Sequence, residues 1–554
     1  MPRLHYQHEI YRFIAGPLGH IEGVTVSERA NPSQPLLHYF GGLPYALPPI
    51  GKHRFRRPRA LPDQYRYGTK ASPGRFTRGT AYCPQPRRFA NLDTELWDED
   101  CLQLNIYLPA GKKRPANGWP VFFYIHGGFL QWGTANEPPR AIAPLMSETA
   151  FEAIIVSPSY RLNLFGFLSS KELQAEAQTS GEHAGNMGFW DQRTALEWTA
   201  KSIEYFGGNP GNITVGGYSA GAHSAFHQLA HELYFVPDDQ AIIKRTICWS
   251  NSPGVQPRTA SDHQKQFDEL LEALKIPPSL SSEVKLERLR AVPIKQLVDI
   301  QEKLKISEFR ATSDESFVSK TLIAKINSGD FAKRMKARNI KLMNGECKEE
   351  HNLYRSWRTP ANSYDAVRTR LIGDYPEDVV DKLMHHYCRG TKALPPARND
   401  WPDLFGRIYA DMQVHHLERG FHRALENGGL EFGKDVFRYR FDWRAGCVDS
   451  YFPPEWGVTH ATDMAIWFWG LDYGDGLSDQ DKEVLKTWNQ GFAAFVKDED
   501  PQWGTHGIKD MKRLRSDGRT DIWIDEQWQA GLDVWDLVNG GNAAGVVGWI
   551  RSKL

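Results

Sequence analysis

A serine set between glycines offers the first chemistry in this sequence. In Gly217-Tyr218-Ser219-Ala220-Gly221, a Gly-x-Ser-x-Gly turn separates an apolar stretch, Ile213 to Gly216, from a run of helical character, Ala222 to Glu232. Strand, tight turn and helix in that order make a nucleophile elbow, which holds the serine in a strained conformation with its hydroxyl above the sheet edge. A side chain at Gly217 or Gly221 would collide with the neighbouring strand or helix. The helix also aims free N–H groups and its positive dipole end at the place where an oxyanion would form. Ser219 is therefore the expected nucleophile of an acyl transfer. His223 and His227 follow it on the helix and read as packing residues.

A second motif supplies the complement. Pro120-Val121-Phe122-Phe123-Tyr124-Ile125 is a continuous apolar run suited to a buried parallel strand. It ends in His126-Gly127-Gly128-Phe129-Leu130-Gln131-Trp132-Gly133, where glycines let main-chain N–H groups turn inward. The N–H groups of Gly128, Phe129 and Ala220 are the expected oxyanion donors. His126 reads as structural.

These motifs need a sheet to hold them. Ala153 to Ser157 and Thr246 to Trp249 are further apolar strands, and an amphipathic helix carrying Ala195, Trp198 and Ile203 lies between them. Strands alternating with helices through residue 250 predict an α/β chain with a mostly parallel sheet covered on both faces. After Pro257 the spacing of Phe267, Leu270, Leu271 and Leu274 becomes helical. Residues 258–335 and 363–430 read as helical insertions, with sheet strands at Ile340 to Gly345 and Val436 to Phe441. No repeat or linker divides the chain, so 1–554 reads as one elaborated domain.

Composition narrows the function classes. The 554 residues carry 67 Lys plus Arg and 67 Asp plus Glu, so no global field favours nucleic acid or an anionic membrane. Met1 to Pro17 lacks the apolar core of a secretory signal, and no segment has the length of a membrane span. The sequence ends in Ser552-Lys553-Leu554, the tripeptide read by the peroxisomal import receptor. A peroxisomal location is expected, with the cytoplasm as the alternative.

Taken together, the motifs resemble the type-B carboxylesterase/lipase family, the cholinesterase-like branch of the α/β-hydrolases. The serine signature is matched from Phe206 to Gly221, and a second, Glu-Asp-Cys-Leu-x-Leu-Asn followed by a hydrophobic residue, from Glu99 to Ile106. Further matches are Leu43-Pro44-Tyr45-Ala46, Tyr160-Arg161-Leu162-Asn163 and Gly185-Asn186 with Asp191-Gln192. The match is dense from about Phe40 to Pro253, then thins to islands at Gly345 to Asn352 and Gly457 to Asp463. The resemblance implies an α/β-hydrolase fold: a large, mostly parallel central sheet, helices on both faces and helical insertions over the active site. It implies a Ser-acid-His triad in that chain order. The acid falls on Glu350, with Glu349 one alignment slip away, and the histidine on His460, followed by Asp463. The resemblance also implies buried ion pairs Arg54–Glu99 and Arg161–Asp191, a supporting hydroxyl at Ser250 and a Cys83–Cys101 disulfide. Such a bond ordinarily marks a secreted chain, at odds with the C-terminal tripeptide. Cys248, Cys347, Cys388 and Cys447 have no metal-ligand spacing.

Two departures bear on substrate. Tyr218 stands where most members have a glutamate that helps hold a cationic substrate. Phe129 replaces a glycine of the oxyanion loop, and with Trp132 it should narrow the acyl side. Both point to a neutral, fairly apolar small-molecule ester, with Tyr218 and Trp132 in the pocket. The implied reaction is ester hydrolysis through an acyl-enzyme, with neither metal nor cofactor. An acyltransferase or lactonase would use the same triad. A non-catalytic interaction protein of the same family would typically have lost a triad residue.

Overall fold

The computed structural model describes residues 6–86 and 96–540. Ser552, Lys553 and Leu554 lie outside the described residues. The backbone is organised by a thirteen-stranded sheet. From one edge run Tyr6–Ile14, His20–Glu28, Asn31–Pro44 and Gln103–Pro109, each antiparallel to the next. Ile154–Pro158 follows, antiparallel to Gln103–Pro109, and from it the strands run parallel through Trp119–Ile125, Gly208–Tyr218, Ile243–Trp249, Lys341–Cys347, Val436–Phe441 and Asp510–Leu514. Thr520–Ile524 closes the far edge antiparallel. The stretch expected over Ile213 to Gly216 is thus the end of a longer strand, and the helix after it spans Ala220–Phe235.

The central strands read as unbroken apolar runs because both of their faces are covered. All seven residues of Trp119–Ile125 are buried. Val121, Phe123 and Ile125 enter the core on one face, while Phe122 and Tyr124 enter the core on the other. This is the period-two alternation of a strand between two layers. On the second face Trp249 stacks on Trp467 at 4.9 Å and meets Phe122 edge-on at 5.7 Å. The helix Asp479–Lys497 brings Phe492 and Trp488 to the same layer, and a Ser478–Asp481 capping box starts it.

Residues 258–335 hold five helices, from Ala260–Ala273 to Asp330–Ala337. Residues 363–430 hold Tyr364–Ile372, Glu377–Tyr387, Trp401–Ala410 and His416–Asn427. The last two are joined by one π-helical turn, Asp411–His415. Such bulges concentrate at functional sites, and this one brings Gln413 to the cleft described below and His415 to Glu346 (2.9 Å).

Candidate active site

The sheet delivers its chemistry at the carboxyl ends of the parallel strands, where ligands of open α/β sheets bind. Ser219 follows the strand Gly208–Tyr218 with φ 56° and ψ −126°, a conformation non-glycine residues rarely adopt. Its N–H donates to Trp249 O at 2.9 Å, which ties the turn to the next strand. The flanking glycines are required by contact: a Cβ on Gly217 would lie 2.4 Å from Gly221 C, and one on Gly221 would lie 2.0 Å from Ile125 O.

The loop after Ile125 is fixed at three carbonyls. Gly128 O accepts from the N–H groups of Gln131 (2.9 Å) and Trp132 (3.0 Å). Leu130 O accepts from Asn163 N at 2.7 Å. Phe129 O accepts from the Arg310 guanidinium and from Gln131 Nε2 at 3.4 Å. Phe129 and Leu130 are both left-handed, at φ 58° and 62°. In a trans peptide the N–H points opposite to the C=O, so anchoring Gly128 O directs the N–H of Phe129 away from the loop interior. Among the described residues the N–H groups of Gly128 and Phe129 donate to nothing. Ala220 N–H is the first of a helix, where no intrahelical acceptor exists.

Glu350 follows the strand Lys341–Cys347, and His460 lies in the segment after Val436–Phe441. Both are fully buried, and Glu350 Oε2 lies 2.5 Å from His460 Nδ1. The second carboxylate oxygen accepts from Cys347 N at 2.8 Å, so the carboxylate cannot swing. Glu349 turns the other way, accepting from Val458 N at 2.9 Å and pairing with Lys348 at 3.2 Å. Ser219 Oγ is not hydrogen-bonded to the imidazole. The Nε2 side of the ring faces the Tyr354 hydroxyl at 3.3 Å, and Tyr218 packs 4.8 Å from the ring centre. Asp463 is buried beside this pair. Burial first, and the Glu350 charge second, raise its pKa to about 7, and its Oδ2 accepts from Trp467 Nε1 at 3.1 Å. Ser250, at φ 50°, donates its N–H to Gly345 O at 3.1 Å, one strand from the acid loop.

Ser219 opens into a cleft whose free space, counting its mouth, is about 780 Å³. Phe129, Leu130, Val255 and Ala311 give it apolar walls, while Arg258, Arg310 and Asp374 give it charge. Trp132 and Tyr218 do not line it. The Trp132 ring packs toward Trp357 (6.3 Å), which itself stacks on Phe129 at 4.3 Å, and the Tyr218 ring packs against the imidazole. His223 does line it, and burial lowers its pKa to about 4, so its ring is neutral. His227 stacks on Phe189, and His126 on Tyr160. Tyr354, Arg258 and Arg310 carried no signal in the sequence, since neither their types nor their neighbours form a motif. Among the described residues no group of three or more His, Cys, Asp or Glu could hold a metal ion.

The frame around the site is pinned by charge and by a covalent bond. Arg54 grips Glu99 (2.6 Å from Nε), and Arg161 grips Asp191 through Nε at 2.8 Å and Nη2 at 2.7 Å. Cys83 and Cys101 are joined, with Cα atoms 5.3 Å apart. The other four cysteines are free.

Residues 12–527 match the Carboxylesterase family. The chain belongs to that family. This member is 55% identical over 537 residues to a carboxylic ester hydrolase of Gibberella moniliformis, covering 97% of this chain and 98% of the relative. It is 38% identical to an uncharacterised esterase/lipase of Schizosaccharomyces pombe, covering 94% and 96%. Among solved structures, Aspergillus niger EstA superposes with a TM-score of 0.72 at 22% identity, covering 95% of this chain and 98% of that one. The backbone is the α/β-hydrolase fold of such esterases. With a carboxylic ester hydrolase this similar along its whole length, this carboxylesterase-family chain is an ester hydrolase.

Proposed function

We propose that the enzyme cleaves carboxylic esters by covalent catalysis, with Ser219 as nucleophile, His460 as general base and Glu350 as the orienting acid. The observation that carries this reading is the 2.5 Å contact from Glu350 Oε2 to His460 Nδ1, buried beside a serine on a strained elbow. A carboxylate on Nδ1 keeps the proton there and leaves Nε2 basic. As an ester enters, Nε2 exchanges Tyr354 for the serine hydroxyl; such contacts are commonly loose before substrate binds. His460 takes the proton of Ser219 during attack on the carbonyl. The N–H groups of Gly128, Phe129 and Ala220 receive the oxyanion, and one such donor is commonly worth about 3 kcal/mol of barrier. His460 then protonates the departing alkoxide, and water repeats the cycle to release the acid.

Phe129, Leu130 and Val255 suit an ester with an apolar portion. Tyr218 in place of a carboxylate disfavours a cationic alcohol. The test is a series of p-nitrophenyl esters of rising acyl length, run beside Ser219→Ala, with fluorophosphonate labelling of the native protein. The variant should lose at least about four orders of magnitude in kcat. Retained turnover, or a native protein that is never labelled, would remove Ser219 from the mechanism. Adding an alcohol acceptor to the same assay separates hydrolysis from acyl transfer.

A further inference from the structure

Arg310, on the cleft wall, shares two carboxylates with Arg358 and Arg370, which lie behind that wall and line a neighbouring pocket. Arg310 pairs with Asp374 and with Glu308 (3.2 Å), Arg358 with Glu308 (2.8 Å), and Arg370 with Asp374 (2.5 Å). Arg258, on the short strand Arg258–Thr259 where the first helical excursion begins, is a fourth. Among the described residues it makes no ion pair. One terminal nitrogen is held by the carbonyls of Ile372 and Tyr375, which supply acceptors but no counter-charge. The other nearby acid, Asp262, is engaged by Thr259 at 2.8 Å in a helix cap. The two arginines titrate in opposite directions. Burial opposes the charge on both, and Asp374 favours it on both; in contact with Arg310 it raises that group overall, whereas Arg258, farther off and beside Arg310, remains lowered.

Arg258 and Ser219 line the same cleft. A largely desolvated cation with no acid in contact carries a cost that the more distant Asp374 and Asp262 offset only in part, and a guanidinium fork fits a carboxylate two-pronged. Asp374, the acid on that wall, is neutralised by two arginines and leaves the surplus positive.

We propose that Arg258 binds a carboxylate carried by the substrate, so that the favoured esters are anionic, such as half-esters of dicarboxylic acids. This rests on Ser219 as the nucleophile of the same cleft.

The experiment compares kcat/KM for monoethyl adipate and diethyl adipate by pH-stat, in the native enzyme, Arg258→Gln and Arg258→Lys. The readout is the half-ester to diester ratio, which cancels any general loss of activity. Arg258→Gln should lower that ratio about 10- to 100-fold, and Arg258→Lys, which keeps the charge but not the fork, by less. Adipate should slow fluorophosphonate labelling of Ser219 in the native enzyme and lose that effect in Arg258→Gln. An unchanged ratio in both variants, with labelling intact, overturns the anion site and leaves the serine mechanism standing. No turnover of either ester together with no labelling of Ser219 overturns both. If Arg258→Gln does not fold, the ratio in Arg258→Lys and the adipate protection of the native enzyme decide.

Discussion

The Tyr354 hydroxyl stands 3.3 Å from His460 Nε2, the ring nitrogen opposite the one that Glu350 holds. Tyr354 is fully buried, lines the cleft and packs against Phe129 and Tyr409. On the proposed mechanism it competes with Ser219 for the basic nitrogen. Tyr354→Phe keeps the ring packing and removes the competitor. Fluorophosphonate labelling and kcat/KM should rise by roughly fivefold, the value of one ordinary hydrogen bond. A fall of similar size would make the hydroxyl a support for the imidazole.

Adjacent carboxylates at 349 and 350 give a sharp contrast. Glu350→Gln removes the charge that, on the proposed mechanism, fixes the imidazole tautomer, and should drop kcat by about 10³- to 10⁴-fold. Glu349→Gln touches only Val458 and Lys348 and should leave kcat within about twofold. Steady-state kinetics on one ester, with circular dichroism to verify folding, distinguishes the two.

Asp191 is fully buried and accepts from the backbone N–H of Arg161 as well as from its guanidinium. Arg161→Met strands that charge, and stability should fall by about 3–5 kcal/mol. The double variant Arg161→Met/Asp191→Leu should recover much of the loss. Urea midpoints for the pair measure both.

Asp463 sets a pH signature. The fold holds its proton up to about pH 7, whereas an unfolded aspartate releases it near 3.9. Asp463 therefore costs stability progressively as pH rises between those values, by at most about 1.4 kcal/mol per unit. Asp463→Asn keeps an acceptor for Trp467 and removes that slope. Its melting temperature relative to the native protein should climb from pH 5 to 7 and level off above. A constant difference would show an aspartate already ionised in the fold.

What the sequence discloses here follows from how local each constraint is. Ser219, Gly217 and Gly221 are legible because a backbone turn against Ile125 tolerates few residue types. The central strands are legible because burial on both faces demands unbroken apolar runs, although the strand at Gly208–Tyr218 begins earlier than its apolar part. Glu350 and His460 are 110 positions apart, and their pairing is carried by resemblance, not by any local pattern. Trp132 and Tyr218 are expected in the pocket from departures from the family pattern, yet neither lines the cleft. Arg258 and Tyr354 have the opposite history. They are ordinary residues in stretches where family resemblance is thin: Tyr354 reaches the cleft on the short helix His351–Ser356 after Glu350, and Arg258 from the start of the first helical excursion.

The grip of Arg310 on the Phe129 carbonyl links two events in the life of the polypeptide. The serine and its elbow are complete once the first 260 or so residues have emerged. The loop proposed to receive the oxyanion is already tied at Gly128 O and Leu130 O within that stretch, and it gains its anchor at Phe129 O once a segment about fifty residues further on has docked. A nascent or partly unravelled chain would thus carry the hydroxyl beside a loop short of one anchor and, on the proposed mechanism, without His460, so reactivity toward esters should appear only with the assembled molecule.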